Sequence, residues 1–258
     1  MFSDEGSIAA SGPFRFLVGP ERKEYMMHAE LVASMSRPLR ALLNSGMEES
    51  IKGVVEWPEV EESTFERFFQ FAYTGDFDVE EPEQPHENPD SPGVFKEDEP
   101  VMWPAFFEAS TKKPRLWETL VQENMPYHHR SGCRYPLIEQ DPAWDFTRVF
   151  QAYAQLYVLA DEKDIQDLAD LAFDKLHHTL LHFNLQDNRV GDIALLADYC
   201  FENTCDKGGE QDRMRRLICL FTACKLETLW TSSDFQRVFA KHGDFSVGVM
   251  GMIISRLD

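Results

Sequence analysis

The sequence predicts an α+β fold: helices packed with a small three-stranded or larger sheet, followed by an all-helical tail. Three observations predict it. Residues 14–18 (F-R-F-L-V) alternate large apolar side chains with others, the two-residue period of a half-buried strand. Residues 65–77 (F-E-R-F-F-Q-F-A-Y-T-G-D-F) place Phe65, Phe68, Phe69 and Ala72 at i, i+3, i+4 and i+7, one apolar face of a helix. Thr74-Gly75-Asp76 stops that helix, because glycine tolerates the left-handed backbone of a helix end. Beyond residue 141 the apolar residues keep a helical period almost to the C-terminus.

Taken in order, residues 1–12 read as a flexible leader. Gly19-Pro20 is a turn signal after the first strand, and Glu24-Tyr25-Met26-Met27 returns as a second, giving a hairpin across residues 19–23. Residues 28–36 are helical, with Leu31, Val32 and Met35 on one face. Pro38 fits the first turn of a following helix over 38–43, where a missing N–H costs nothing. Val54-Val55-Glu56-Trp57 is a short strand closed by Pro58. Ser63 or Thr64 serves as the N-cap of the aromatic helix.

The composition then changes. Residues 76–100 hold ten acidic residues against Lys96, a net charge of −9, and Pro82, Pro85, Pro89, Pro92 and Pro100 punctuate them. Such a stretch cannot bury enough apolar surface to offset chain entropy, so residues 78–140 read as an acidic, Pro-rich insert with a mixed second half. Order resumes at Asp141. Phe146, Val149, Phe150, Tyr153, Ala154 and Tyr157 form a helical stripe, and Asp164 is the expected N-cap of a next helix that turns Ile165, Leu168, Ala169, Ala172 and Leu176 inward. Residues 183–258 read as a helical C-terminal extension with segments at 193–201, 213–230, 235–239 and 245–257.

Charge and composition exclude several function classes. The 258-residue chain is 43% hydrophobic and 12% aromatic, enough for a packed core. Its formal charge of −20 argues against nucleic acid or an anionic membrane surface as a direct partner, since both need clustered Lys and Arg. The N-terminus lacks the basic and apolar regions of a secretory signal, and no apolar run reaches the roughly 20 residues that span a bilayer. The expected location is the cytoplasm, the nucleus or both. Five cysteines (Cys133, Cys200, Cys205, Cys219 and Cys224) then read as reduced thiols, mostly in cores.

No sequence pattern points to catalysis. Hydrolase elbows, phosphate-binding loops and dinucleotide fingerprints are absent, so the expectation is no enzyme, no cofactor and no metal. Three histidine groups bear on that expectation. His28 reads as a helix-start residue whose ring bonds locally. His178 and His182 stand at i, i+4, the spacing of zinc-binding helices, without the intervening Glu or a third ligand. His128, His129 and Cys133 are a looser cluster, lacking the paired cysteines of structural zinc sites, and carry the alternative reading of a metal-dependent enzyme. Cys200/Cys205 and Cys219/Cys224, five apart, diverge by about 140° on a helix and do not suit one tetrahedral site.

Six stretches in order resemble the BTB/POZ domain: F-x-V-G-x-E at 16–21, Y-M-M-H-A-E-L-V-A-S-M-S at 25–36, G-M-E-E-S at 46–50, V-E-W-P-E-V at 55–60, the aromatic helix at 65–77, and Y-V-L-A-D-E-K-D-I-x-x-L at 157–168. Ala29 stands where that family usually has Lys or Arg, and the insert of roughly 65 residues after Tyr73-Thr74-Gly75 is much longer than usual. No Kelch, MATH or zinc-finger segment follows.

The resemblance implies a BTB/POZ-like domain over 13–77 and 141–182 that works by binding proteins. It implies a homodimer built on the N-terminal strand and first helix, through Phe14, Phe16, Leu31 and Met35. It also implies docking of a cullin-3 ubiquitin-ligase scaffold near Phe77, Asp78, Val79, Trp144, Asp145 and Arg148, with the chain as a substrate adaptor. A transcription-linked corepressor-type scaffold is the alternative within the same family.

Overall fold

A computed structural model describes residues 8, 10–44, 53–82, 113–122 and 144–257. Strand β1 (Pro13–Val18) shows the alternation read from the sequence: Phe14, Phe16 and Val18 are buried and the residues between them are not. It pairs antiparallel with β2 (Lys23–His28) and parallel with β3 (Val54–Trp57), so the sheet runs β2-β1-β3. Residues 19–22 close the hairpin, with the Arg22 N–H donating to the Gly19 carbonyl at 3.1 Å. Gly19 takes φ +70, a conformation glycine adopts at no steric cost.

Helix α1 (Ala29–Met35) and helix α2 (Arg37–Asn44) come directly after β2. Ser36 caps α2, its hydroxyl accepting the Leu39 N–H at 3.2 Å, and Pro38 sits in the first turn as expected. The aromatic helix α3 (Glu62–Thr74) begins one residue before the expected caps. Glu61 occupies the N-cap with no side-chain bond, and Thr64 instead turns inward, donating to Gln155 at 3.0 Å. The buried face is Thr64, Phe65, Phe68, Phe71 and Ala72. Phe71 thus replaces the expected Phe69, because it lies three residues after Phe68 and seven after Thr64, on the face that Phe65, Phe68 and Ala72 bury.

Five aromatic rings meet where α3 crosses the sheet. Phe65 lies 5.2 Å from Phe16, 4.7 Å from Tyr25, 5.8 Å from Trp57 and 5.5 Å from Phe68. Edge and tilted contacts of this kind add to burial, since positive ring edges meet negative faces.

Among the described residues, the remaining α-helices are α4 (Lys113–Gln122), α5 (Thr147–Glu162), α6 (Gln166–His182), α7 (Val190–Asn203), α8 (Arg213–Leu229), α9 (Ser233–Lys241) and α10 (Gly243–Leu257). Asp164 is not the N-cap of α6. It takes φ +55 at the end of α5, where the Ile165 N–H reaches back to the Ala160 carbonyl at 2.8 Å and the Asp164 N–H to Asp161. This is a Schellman ending, which aspartate supports because it tolerates the left-handed region. Helix α4 lies within the stretch read as a Pro-rich insert. Its flanks, the expected leader except residues 8 and 10–12, and residues 46–50 lie outside the described residues.

The chain divides into two units. Unit 1 comprises Met1–Glu80, Tyr127–Pro136 and Ala152–Leu176; unit 2 comprises Glu81–Pro126, Leu137–Gln151 and His177–Asp258. Unit 1 holds the sheet, α1 to α3 and a buried layer from Tyr153, Leu156, Ala160, Leu168 and Ala172. In unit 2, α8 packs on α4, α7 and α10, and α9 on α7 and α10. A Cβ added at Gly248 of α10 would sit 2.6 Å from the Cys219 Sγ, so only glycine permits that approach of α10 to α8.

Phe65 is wholly buried at the centre of the aromatic cluster. Phe65→Ala is expected to cost about 3–5 kcal/mol, as removing a buried ring does. Urea or guanidinium unfolding followed by far-UV circular dichroism measures it.

Candidate protein-interaction surface

The residues that stop α3 also shape the segment beyond it. Gly75 takes φ +75 and its N–H closes the helix on the Phe71 carbonyl at 2.8 Å. The Thr74 hydroxyl donates back to the Gln70 carbonyl at 2.8 Å and lies 2.7 Å from the Asp76 carbonyl, while Asp76 accepts the Phe77 N–H at 2.8 Å. The turn delivers Phe77 into the core of unit 1, fully buried and 6.2 Å from the Tyr153 ring.

Lys175 of α6 secures that turn. Its side chain is 2% exposed, and its ammonium lies 2.5 Å from an Asp76 carboxylate oxygen, 2.5 Å from the Phe77 carbonyl and 4.4 Å from the Phe77 ring centroid. A buried ammonium is costly unless its donors find acceptors and a counter-charge, and here one turn supplies both.

Past Phe77 the chain lies back along α3. Gln70 donates to the Asp78 carboxylate at 2.7 Å and accepts the Asp78 N–H at 3.0 Å. Arg67 pairs with Glu80 at 3.6 Å. The result is a short segment held at three points, with Asp78, Glu80 and Glu81 exposed and Val79 half-buried. It offers acidic side chains on a backbone held in place by α3.

The family model of the BTB/POZ domain matches residues 15–88. The chain carries a BTB/POZ domain. No curated protein matches the chain. BTB/POZ domains are protein–protein interaction modules, and the described part of the match contains the three-stranded sheet, α1 to α3 and the acidic segment after α3.

The sequence-predicted contact residues fall into two groups. Of the residues expected at a dimer contact of the BTB/POZ domain, Phe14, Phe16 and Leu31 are buried within a single chain and Met35 is half-buried. The first three belong to the core of the chain itself, Phe16 against Phe65 of α3. Phe77 is corrected for the same reason: its ring lies beneath Lys175 and does not face a partner. Asp78 and Val79 stay at the surface.

Trp144, Asp145 and Arg148 belong to unit 2, at the start of α5. Trp144 and Asp145 are half-buried and Arg148 is exposed. Asp192 of α7 accepts the Phe146 N–H at 3.2 Å and the Thr147 hydroxyl at 3.1 Å, and Arg189 bridges Asp192 at 2.8 Å and Asp145 at 3.2 Å. Burial pushes the Asp192 carboxyl above its ordinary value despite Arg189. Burial acts on Asp145 too, but the donors of Thr147 and the charge of Arg189 outweigh it and hold that carboxyl below the usual range.

Among the described residues, His28, His178 and His182 make contacts within the fold. His28 bonds across 45 residues of sequence rather than locally: its ring Nδ1 lies 2.9 Å from the Tyr73 hydroxyl, whose oxygen accepts the His28 N–H at 3.2 Å. His178 and His182 have ring centroids 4.3 Å apart, and the His182 Nδ1 lies 2.8 Å from the His178 carbonyl. His128, His129 and Cys133 lie outside the described residues.

Asp198, Glu202 and His242 do converge within 4.8 Å, a cluster that sequence spacing hides because about 40 residues separate its parts. Lys241 already lies between the carboxylates, 2.8 Å from Asp198 and bonded to Glu202. Its ammonium supplies there the positive charge that a cation would bring. Among the described residues no helix is long and apolar enough to cross a membrane.

Cys200 and Cys219 are buried, whereas Cys205 is exposed. Burial raises both buried thiols, Cys219 to about 12 and Cys200 further. At neutral pH, iodoacetamide labelling followed by peptide mapping is expected to mark Cys205 well before Cys200 or Cys219, which react only on unfolding.

Proposed function

We propose that the chain is a dimerising BTB/POZ scaffold that links a client protein to a cullin-3 ubiquitin ligase, acting in the cytoplasm, the nucleus or both. The observation that carries this reading is the acid-edged segment after α3. It lies within the stretch matched to the domain, and Lys175, Gln70 and Arg67 hold it against the fold. A docking edge needs a fixed backbone, because ordering a loose one on binding weakens the complex.

The exposed charges Asp78 and Glu80 of unit 1 are the groups assigned to cullin contact. For the dimer, the assignment moves from the buried Phe14, Phe16 and Leu31 to Met26, which is 55% exposed on the edge strand β2, together with the half-buried Met35. Nothing in the structure favours the corepressor alternative over this one.

Light scattering of the purified chain and capture of purified cullin-3 test both halves. The expected results are a dimer mass and a cullin complex that Asp78→Lys weakens by about tenfold or more while the dimer persists. A monomer that captures no cullin-3 would overturn the proposal.

A further inference from the structure

Helix α10 has no polar side. Residues 245–254 (F-S-V-G-V-M-G-M-I-I) hold no charged residue, in a chain of net charge −20. Their one hydroxyl, on Ser246, donates to the Phe239 carbonyl. A helix that is apolar all round belongs in an interior. Yet α10 is covered on one side only, where Phe245 and Val249 are buried and Gly248 lies against Cys219 of α8. On the other side Val247, Met250 and Ile254 are 74%, 47% and 54% exposed. With the exposed Gly251 they stand at i, i+3, i+4 and i+7, a single stripe.

The two glycines of α10 differ in what explains them. Gly248 makes room for the Cys219 Sγ. A Cβ on Gly251 would meet nothing within 4 Å, so no packing among the described residues calls for glycine there. Glycine inside a helix is destabilising because of its backbone freedom, and what it offers in return is close approach of another backbone.

The stripe is complementary to itself. Its four positions are symmetric about the midpoint between Met250 and Gly251. Against a second α10 running the opposite way, with a two-fold axis at that midpoint, Val247 meets Ile254 of the partner subunit and Met250 enters the space over Gly251 of the partner subunit. Residue i then faces j and j faces i, as a two-fold contact requires, and the large side chain faces the small one. A parallel pair would crowd methionine on methionine and leave a gap between the glycines. Charge agrees with a second copy as the occupant. Two chains of net charge −20 repel, and they meet at least cost where neither presents charge, as over these ten residues.

We infer that the outer stripe of α10 is a self-association surface, on which a second copy of the chain lays its own α10 antiparallel. The helix has 15 residues and is about 22 Å long. One crossing of such helices covers less than the roughly 800 Å² per partner of a standard interface, so the contact is concentration-dependent, in the micromolar range or weaker. It lies in unit 2 and does not rest on the dimer contact assigned to Met26 and Met35.

Two variants at exposed positions, Val247→Cys and Ile254→Cys, test the geometry in the full chain. Mixed and oxidised with copper phenanthroline, they are expected to give a disulfide-linked dimer several-fold above what either gives alone. In the antiparallel pair position 247 meets position 254, whereas each lies about 10 Å along the axis from its own counterpart, beyond the reach of a disulfide. A second readout is sedimentation of the Met26→Lys chain, in which the contact assigned to β2 is blocked. That chain is expected to self-associate, and Val247→Glu with Ile254→Glu to weaken the association about tenfold or more while circular dichroism stays unchanged. A mixture that links no better than its components, or a Met26→Lys chain that stays monomeric up to about 100 μM, overturns the inference. Failure of the β2 contact shows differently, as a Met26→Lys chain that associates no more weakly than the unaltered one.

Discussion

The geometry of unit 1 around the end of α3 depends on one buried ammonium. Lys175 brings a full positive charge into a site lined by Phe77, and the site balances it with the Asp76 carboxylate, the Phe77 carbonyl and the Phe77 ring. An unpaired ammonium would be driven out by the loss of hydration, and Asp76 and Phe77 would lose the anchor that bends the chain at Gly75. With the anchor in place, the segment from Asp78 to Glu80 lies along α3 within reach of Gln70 and Arg67. The aromatic cluster of Phe16, Tyr25, Trp57, Phe65 and Phe68 supplies burial energy to the same unit, but hydrophobic burial is non-directional and does not fix where the chain leaves the helix.

Much of this fold is legible in the sequence where local chemistry punctuates the chain. Gly19-Pro20, Pro38, Pro58 and Thr74-Gly75 mark the ends of elements through their own backbone preferences, so the hairpin, β3, α2 and the end of α3 fall where expected. The positions that differ from expectation are those that tertiary contacts decide. Thr64 gives up a cap to reach Gln155, Asp164 closes α5 instead of opening α6, and Phe71 rather than Phe69 turns inward. Lys175 carries no local signal of its role, although it stands three residues after Ala172 and one before Leu176 on the inward stripe. Periodicity places a residue on a face; it does not say that a charge there has an acid and a carbonyl waiting 98 residues upstream.

The candidate site is half legible for the same reason. The resemblance points to the segment after α3, yet it cannot separate Phe77, which packs, from Asp78 and Glu80, which face solvent. Composition describes the insert as a whole and so conceals α4, whose Leu116 and Leu120 form a pattern too short to stand out among prolines and acids. Unit 1 presents acidic side chains on a segment held against α3, and unit 2 buries Leu116 and Leu120 of α4.

The dependence of unit 1 on its buried lysine is tested most directly by a double-mutant cycle of Asp76→Asn and Lys175→Met, read by denaturant unfolding. A coupling of about 1–3 kcal/mol, with the double variant less destabilised than the two single variants summed, is the predicted result. Additive effects would contradict the account, because they would mean that the turn after α3 holds its shape without the ion pair.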